Sequence, residues 1–409
     1  LTITDMQESF TDKHTEILEG NLGGKGRIDR FSGEFSIDFN TVPVIDVPIV
    51  ASYKYYTAYS NMLDFNSTNV STDMLGIDDT FVVGEGYTYD FDGDGTFESG
   101  DDKNWLINWV RGYKDGASVK KDWLLGAIDH SMQALQTPPS RPDWYYGTAI
   151  SRAERKSFKA FIEANKSRRS VLYNGARDGM LHAFDAGQYV HPDPSDPDLC
   201  PNKGENNEND RGCFLNEDYG TGEELWAFIP ANLIPRLKNN VLQGDDQAYV
   251  DGSPALADVY TDGQWRTVLL SAQGNGGDTI FCLDVTNPYD PKFLWEFADP
   301  DLFRSRSSPS VGKIGRIMVN GQPVWVAFFV SGKTYDAAMH PSIYMINVAD
   351  GSVVKRVMLD SDGSGVGGVP SGQPSIIDSD GNGYIDRLYI GTDKGFLYKV
   401  NIPDDPDTV

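Results

Sequence analysis

The nine residues Asp378-Ser-Asp-Gly-Asn-Gly-Tyr-Ile-Asp386 carry oxygen-bearing side chains at positions 1, 3, 5 and 9, on Asp378, Asp380, Asn382 and Asp386. Gly383 falls at position 6, where a calcium loop needs a sharp turn, and the carbonyl of Tyr384 at position 7 can join the oxygens around a hard cation. The strand-like run Leu388-Tyr-Ile390 follows directly. The pattern is therefore a calcium loop that opens a strand, without the second helix of an EF-hand. The alternative is an Asp/Asn/Gly-rich turn that holds no ion. Four carboxylate or amide groups so close together repel one another unless a cation lies between them, which favours calcium.

A second stretch, Asp90-Phe-Asp-Gly-Asp-Gly-Thr-Phe-Glu-Ser-Gly-Asp101, fits the twelve-residue EF-type loop. Asp90, Asp92, Asp94 and Glu98 take positions 1, 3, 5 and 9, Gly95 takes position 6, and Thr96 offers its carbonyl at position 7. Asp101 stands at position 12 in place of the usual bidentate Glu, and its shorter arm implies a looser or smaller site. A helix over residues 103–111 is expected after it. An acidic turn without an ion is again the alternative.

These loops sit in a chain of 409 residues, 39% hydrophobic and 12% aromatic, enough for a sizeable core and two or three domains. The net charge of −25 argues against non-specific binding to nucleic acid or to anionic membrane and suits a protein that holds divalent cations. No apolar run approaches the roughly 18–20 residues of a membrane-spanning helix. The chain begins at Leu1, so any signal peptide has been removed or lies outside this sequence, and the start of the chain does not give the compartment. Cys200 and Cys213 flank a polar loop, and a disulfide across it, favoured here over two free thiols, would suit an exported protein. Cys282, within Ile280-Phe-Cys-Leu283, reads as a buried free thiol.

Residues 1–104 read as a β-rich N-terminal segment that ends in the EF-like loop. It has short strand-like runs near 35–37, 42–50 and 80–83, and an aromatic patch at Tyr53, Tyr55, Tyr56 and Tyr59. Residues 105–409 follow a β grammar interrupted by one amphipathic helix near 151–165, with Phe158, Phe161 and Ile162 on one face. Nine Asp-Gly pairs supply turn residues. One unit recurs: an apolar strand, a Gly-rich turn, a second apolar strand, then Asp or Asn. The copies close at Asp185, Asp284, Asn347 and Asn401. Such strand pairs point to propeller blades. Their uneven spacing makes the fold class mainly β, an irregular β-propeller with long insertions, the longest over 191–220.

Six segments occur in a fixed order: Leu124-Leu-Gly-Ala-Ile-Asp-His-Ser131, residues 171–186, Gly222–Pro230, Tyr249-Val-Asp-Gly-Ser-Pro254, Trp265–Leu270 and Leu283–Pro288. The ordered set resembles the C-terminal propeller domain of the PilC/PilY family of type IV pilus tip-associated and biogenesis proteins, from about Trp105 to Asn401. The resemblance implies a modified β-propeller, exported through the periplasm to the pilus tip or cell surface. It implies roles in pilus assembly, in opposing retraction, and in surface adhesion and twitching motility. The implied partners are minor pilins at the tip and a host or abiotic surface, and the implied cofactor is calcium. The family's nine-residue calcium loop maps onto Asp378, Asp380, Asn382, Tyr384 (by its carbonyl) and Asp386. There are departures. Arg-Gly-Asp is absent, so integrin binding does not carry over. Gly395-Phe-Leu-Tyr-Lys-Val400 lacks the Trp-Arg pair expected in the closing segment, and the loop at 90–101 is not a family feature. The family's N-terminal von Willebrand A-type domain is not visible, which implies a fragment or a processed chain.

Enzymatic patterns fail on inspection. Gly332-Lys-Thr334 resembles the end of a phosphate loop but has Ala327 where Gly is required, and Pro370 denies a helix to the glycines at 363–368. The five histidines show no His-Glu-x-x-His spacing, and no Gly-x-Ser-x-Gly elbow occurs; His182 reads as a packed strand residue. A quinoprotein dehydrogenase is the enzymatic rival, because Leu283-Asp-Val-Thr and Leu294-Trp295 resemble its blade closures, but the adjacent cysteine pair is missing. A secreted, calcium-stabilised binding module without a pilus role is the third reading. The expectation is a protein that catalyses no reaction.

Overall fold

A computed structural model describes residues 2–4, 9–12, 17–28, 35–40, 50–52, 62–191, 212–242, 249–277, 279–299, 302, 313–331, 340–359, 367–370 and 372–404. The chain forms two compact units. The first comprises Leu1–Leu124, Ala231–Asp245 and Ala298–Pro300, and the second comprises the rest. The boundary expected between residues 104 and 105 falls inside the helix Asp101–Val110. A hydrogen-bonded helix cannot be divided between two domains, and the break lies after Leu124.

In the first unit, six short strands form one antiparallel sheet in the order Phe35–Asp38, Lys25–Ile28, Ile17–Gly20, Ser9–Asp12, Thr2–Thr4, Val50–Ser52. Residues 41–49 and the aromatic patch at 53–59 lie outside the described residues. The helix Asp101–Val110 buries Leu106, Ile107 and Val110, and Trp105 stacks on Phe91 with ring centroids 5.7 Å apart. That stack fixes the acidic loop to the first turn of the helix it precedes.

Among the described residues the second unit holds four antiparallel sheets of three or four strands, besides a two-stranded ribbon of Tyr189–Val190 with Cys213–Phe214. The first has Ala134–Gln136, Val171–Gly175, Leu181–Asp185 and Glu224–Phe228; the second has Ala255–Thr261, Gln264–Ala272, Thr279–Asp284 and Lys292–Ala298. The third has Lys313–Val319, Gln322–Val330, Ser342–Asn347 and Val353–Met358, and the last has Ser375–Ile377, Arg387–Gly391 and Leu397–Asn401. The four strand pairs seen in the sequence are the second and third strands of these sheets, paired as Val171 with Asp185, Val268 with Asp284, Val326 with Asn347 and Arg387 with Asn401. The opening strands of successive sheets touch one another, so the sheets radiate from that side. This is the β-propeller arrangement.

Local chemistry explains the repeat. Asp262-Gly263 and Asn320-Gly321 all have positive φ, the two-residue turn that matches strand twist and closes the first hairpin of the second and third sheets. The recurring Asp or Asn at the end of the third strand accepts a bond from the backbone N–H two residues on: Gly187 to Asp185, Thr286 to Asp284 and Ala349 to Asn347. Each bond turns the chain towards the fourth strand. The Trp226 indole donates to the Pro288 carbonyl and the Trp295 indole to the Val348 carbonyl, both at 2.8 Å, hooking an outer strand onto the next sheet.

Both faces of the third sheet are buried. Trp325, Ala327 and Phe329 pack with Val268, Leu270 and Ile280, while Val326, Phe328 and Val330 pack with Leu388 and Ile390. A strand covered on both faces has no polar alternation, which is why residues 324–330 read as an unbroken apolar run. The segment from Asp143 to Asn165 adds a short 3-10 turn and the helix Arg152–Asn165, capped by Ser151 and burying Phe158 and Phe161. Cys213 is disulfide-bonded and Cys282 is a buried free thiol; Cys200, the remaining cysteine, lies outside the described residues, as does the insertion over 192–211.

Candidate functional site

The Asp378–Asp386 loop joins Ser375–Ile377 to Arg387–Gly391 in the last sheet. Its side chains turn inward onto its own backbone. Asp378 accepts from the N–H groups of Asn382 and Gly383 at 3.1 and 2.7 Å, and Asp380 accepts from the Asn382 N–H and side-chain amide. Asn382 accepts from the Tyr384 N–H at 2.7 Å, while Asp386 accepts from the Ser379 N–H and hydroxyl. Gly381 and Gly383, with φ of 71° and 99°, allow this curl.

The loop is mounted on the segment before the helix. Thr148 and Ala149 donate their N–H groups to the carbonyls of Gly381 and Asn382 at 2.9 and 3.1 Å. Ile385 donates to the Arg316 carbonyl at 2.6 Å. Among the described residues no donor reaches the Tyr384 carbonyl. The ring of Tyr384 lies 4.8 Å from the Arg316 guanidinium, which also faces Trp144 and Trp325 at 5.1 and 5.2 Å. Arg316 pairs with Glu154 of the helix at 2.7 Å.

The donor set fits a hard divalent cation. Asp378, Asp380, Asn382, Asp386 and the Tyr384 carbonyl offer oxygen only. Among the described residues no Lys, Arg or His forms an ion pair with the three carboxylates. Each carboxylate is held by hydrogen bonds to the loop's own N–H groups, and no basic side chain among the described residues balances its charge. Asp378, Asp380 and Asp386 do not form one of the groups whose ligand atoms all lie within 4.8 Å of one another.

The EF-like stretch does form one, with a different membership. Asp90, Asp92 and Asp102 bring carboxylate oxygens within 4.8 Å of one another. Asp90 accepts from Gly93, Asp94 and Gly95; Asp94 accepts from the N–H and hydroxyl of Thr96; Thr96 also donates to Glu98. Asp102, fully buried, accepts from Phe91 and Glu98 at 2.6 and 2.9 Å. Asp101, expected at position 12, is exposed at the start of the helix and does not join the group. The helix begins at Asp101 and not at Lys103, and this rotates Asp102 towards the loop. Lost hydration, and then the charges of Asp94 and Asp90, push Asp92 up; burial first pushes Asp102 up. The Thr96 hydroxyl and N–H hold Asp94 down.

Two histidine constellations had no clear sequence signal. His130 bonds Asp251 at 2.9 Å through Nδ1, Ser131 donates to the Gly252 carbonyl, and Met132 donates to the Ser253 hydroxyl. The segments 124–131 and 249–254 therefore meet edge to edge. Arg177, 3.8 Å from Asp129, supplies positive charge there, so the junction reads as structural. His182 is buried as expected, but its ring lies between Glu224 at 2.5 Å and Asp178 at 3.1 Å. Burial pulls its pKa down and the two carboxylates more than reverse that, so it is pushed up to about 9.

Comparison with known proteins adds the family. The family model of the PilY1 beta-propeller domain matches residues 231–408. A type IV pilus biogenesis factor PilY1 homolog of Xylella fastidiosa is 29% identical over 328 residues, covering 73% of this chain and 19% of its own length. The type IV pilus biogenesis factor PilY1 of Pseudomonas aeruginosa strain UCBPP-PA14 is 26% identical over 324 residues, 74% of this chain and 23% of its own length. The chain thus spans about a fifth of the length of these relatives. The crystal structure of the Pseudomonas aeruginosa PilY1 C-terminal domain matches 60% of this chain and 40% of that one at 27% identity, with a TM-score of 0.41. No helix among the described residues is long and apolar enough to cross a membrane. The PilY1 beta-propeller model over residues 231–408 and the PilY1 relatives support membership of the PilC/PilY family, and the radiating sheets are a β-propeller.

Proposed function

We infer that this chain is the calcium-binding propeller of a type IV pilus biogenesis protein. It is exported through the periplasm to the pilus tip or cell surface, and it catalyses no reaction. In this reading it supports pilus assembly, opposes retraction and mediates surface adhesion and twitching motility. Its partners are minor pilins at the tip and a host or abiotic surface. The observation that carries the reading is the 378–386 loop, where three carboxylates without a basic partner among the described residues are arranged with two further oxygen donors on a rigid mount. Asp378, Asp380, Asn382, Asp386 and the Tyr384 carbonyl would hold the ion, which neutralises the cluster and fixes the loop before the last strand pair. The loop at 90–102 is the second calcium site of this reading.

The test is Asp378→Ala with Asp386→Ala, made in the full-length protein and assayed for calcium binding, surface pili and twitching. Loss of calcium binding together with altered piliation or twitching supports the reading. Loss of calcium binding with both phenotypes unchanged overturns it.

A further inference from the structure

The geometry points to Arg316 and Glu154 as positioning residues for calcium at the 378–386 loop: by clamping Tyr384, they aim its carbonyl at the ion and tie ion occupancy to the helix Arg152–Asn165. This rests on the calcium reading above and adds residues that lie far from the loop in sequence. Arg316 sits on the opening strand of the third sheet with its side chain only 2% exposed. It grips the residues after Gly383 three times. Its carbonyl accepts the Ile385 N–H at 2.6 Å, its guanidinium lies over the Tyr384 ring at 4.8 Å, and its Nη2 donates to the Tyr384 hydroxyl at 3.4 Å. The peptide between Tyr384 and Ile385 carries the Tyr384 carbonyl. The preceding carbonyls, of Gly381 and Asn382, are already taken by Thr148 and Ala149. The Tyr384 carbonyl, which no donor among the described residues reaches, lies between the two residues that Arg316 holds.

The clamp is itself braced. Arg316 Nη2 bonds Glu154 at 2.7 Å, while its Nε and Nη1 are buried without hydrogen-bond partners. A buried guanidinium satisfied on one edge alone relies on that carboxylate and on the aromatic faces of Trp144, Trp325 and Tyr384. Glu154 is fixed in turn, because its N–H caps onto Ser151 at 3.1 Å in the first turn of the helix. Ion, Tyr384, Arg316, Glu154 and helix then form one chain of contacts. A metal's supporting shell tunes affinity by orienting the ligands.

The experiment is calcium titration calorimetry on the chelator-treated chain, with terbium luminescence excited through Tyr384 and Trp144 as a second readout. Melting in chelator reports the fold separately. Arg316→Met is expected to weaken calcium at this loop about 10–100-fold, the range for loss of a supporting partner. Glu154→Gln should weaken it in the same direction, Arg316→Lys should restore most of it, and Tyr384→Phe, which keeps ring and carbonyl but loses the hydroxyl that accepts from Arg316, should weaken it less than Arg316→Met does. A purely structural role would lower melting in chelator and leave the calcium affinity of the folded protein unchanged, and that result overturns the proposal. If Arg316→Met fails to fold, Glu154→Gln decides by the same comparison. If Asp378→Ala/Asp380→Ala retains every calcium heat of the parent, the calcium reading of the loop fails and the proposal falls with it. Parental calcium affinity in both clamp variants, with the loop heat lost in Asp378→Ala/Asp380→Ala, overturns the clamp alone.

Discussion

Gly147 lies against Gly383 so closely that a Cβ on Gly147 would come within 2.4 Å of the Gly383 Cα and 2.5 Å of the Asn382 carbonyl oxygen. Both neighbours are backbone, which cannot rotate away as a side chain can. The contact is where the acidic loop of the last sheet rests on the segment leading into the helix. Gly147→Ala should push the two apart and cost about 1–3 kcal/mol, the usual penalty of overpacking. Gly381→Ala is the control: its φ is 71° and nothing lies within 4 Å of its added Cβ, so only about 1–2 kcal/mol of backbone strain is expected. Urea unfolding in chelator measures both. The mount is wrong if Gly147→Ala leaves stability and calcium affinity at parental values.

His182 makes stability depend on pH. Its folded pKa is about 9, above the ordinary 6.5, because Asp178 and Glu224 more than offset its burial. A histidine raised in this way stabilises the fold fully below its unfolded pKa and loses the contribution as pH rises through the folded value. Unfolding free energy should therefore fall by something on the order of 2–3 kcal/mol between pH 6 and 10 through this group. His182→Gln should be less stable than the parent at pH 6 and approach it at pH 10. Parallel pH profiles for the two proteins would refute the assignment.

What the sequence disclosed and what it hid follow from the range of each interaction. The four strand pairs were legible because each ends on an Asp or Asn, which in the first three closes a turn within two residues. The helix was legible because Ser151, Phe158 and Phe161 keep helical spacing. A twelve-residue pattern counts to Asp101, whereas the acidic group in the structure takes Asp102, because counting positions does not see the helix phase that turns Asp102 inward. Glu154 and Arg316, or Gly147 and Gly383, carry no mutual signal in one sequence. They meet only because the radiating sheets bring distant segments together, and neither pair has a spacing to count. The continuous apolar run at 324–330 told of burial but not that both faces are covered by sheets.

Cys282 should be chemically silent. It is fully buried between the second and third sheets, and burial pushes its thiol far above the range in which a thiolate forms. Native protein treated with iodoacetamide near pH 8 should remain unmodified at Cys282, since the thiolate is the reactive species. Unfolding in urea should expose it to full modification. Rapid labelling of the native protein would mean that the second and third sheets separate readily.

Asp102, and not Asp101, should carry the second calcium site. Asp102 shares the oxygen cluster with Asp90 and Asp92, and its carboxylate is held by the N–H groups of Phe91 and Glu98. An Asn at 102 offers one acceptor where two donors wait, so Asp102→Asn should abolish calcium heat at this loop, whereas Asp101→Asn should preserve it. Calcium at about a hundred times its dissociation constant would stabilise the parent by about 2.7 kcal/mol through this site, and Asp102→Asn should lose that increment. Protons should compete unusually well here, since Asp92 and Asp102 are both held above the ordinary carboxylate range. Calcium affinity at this loop should therefore decline on acidification. Titrations of the Asp378→Ala/Asp380→Ala variant at neutral and mildly acid pH isolate the second site. If Asp101→Asn removes its heat and Asp102→Asn does not, position 12 counts after all and the helix phase seen here does not set the ligand.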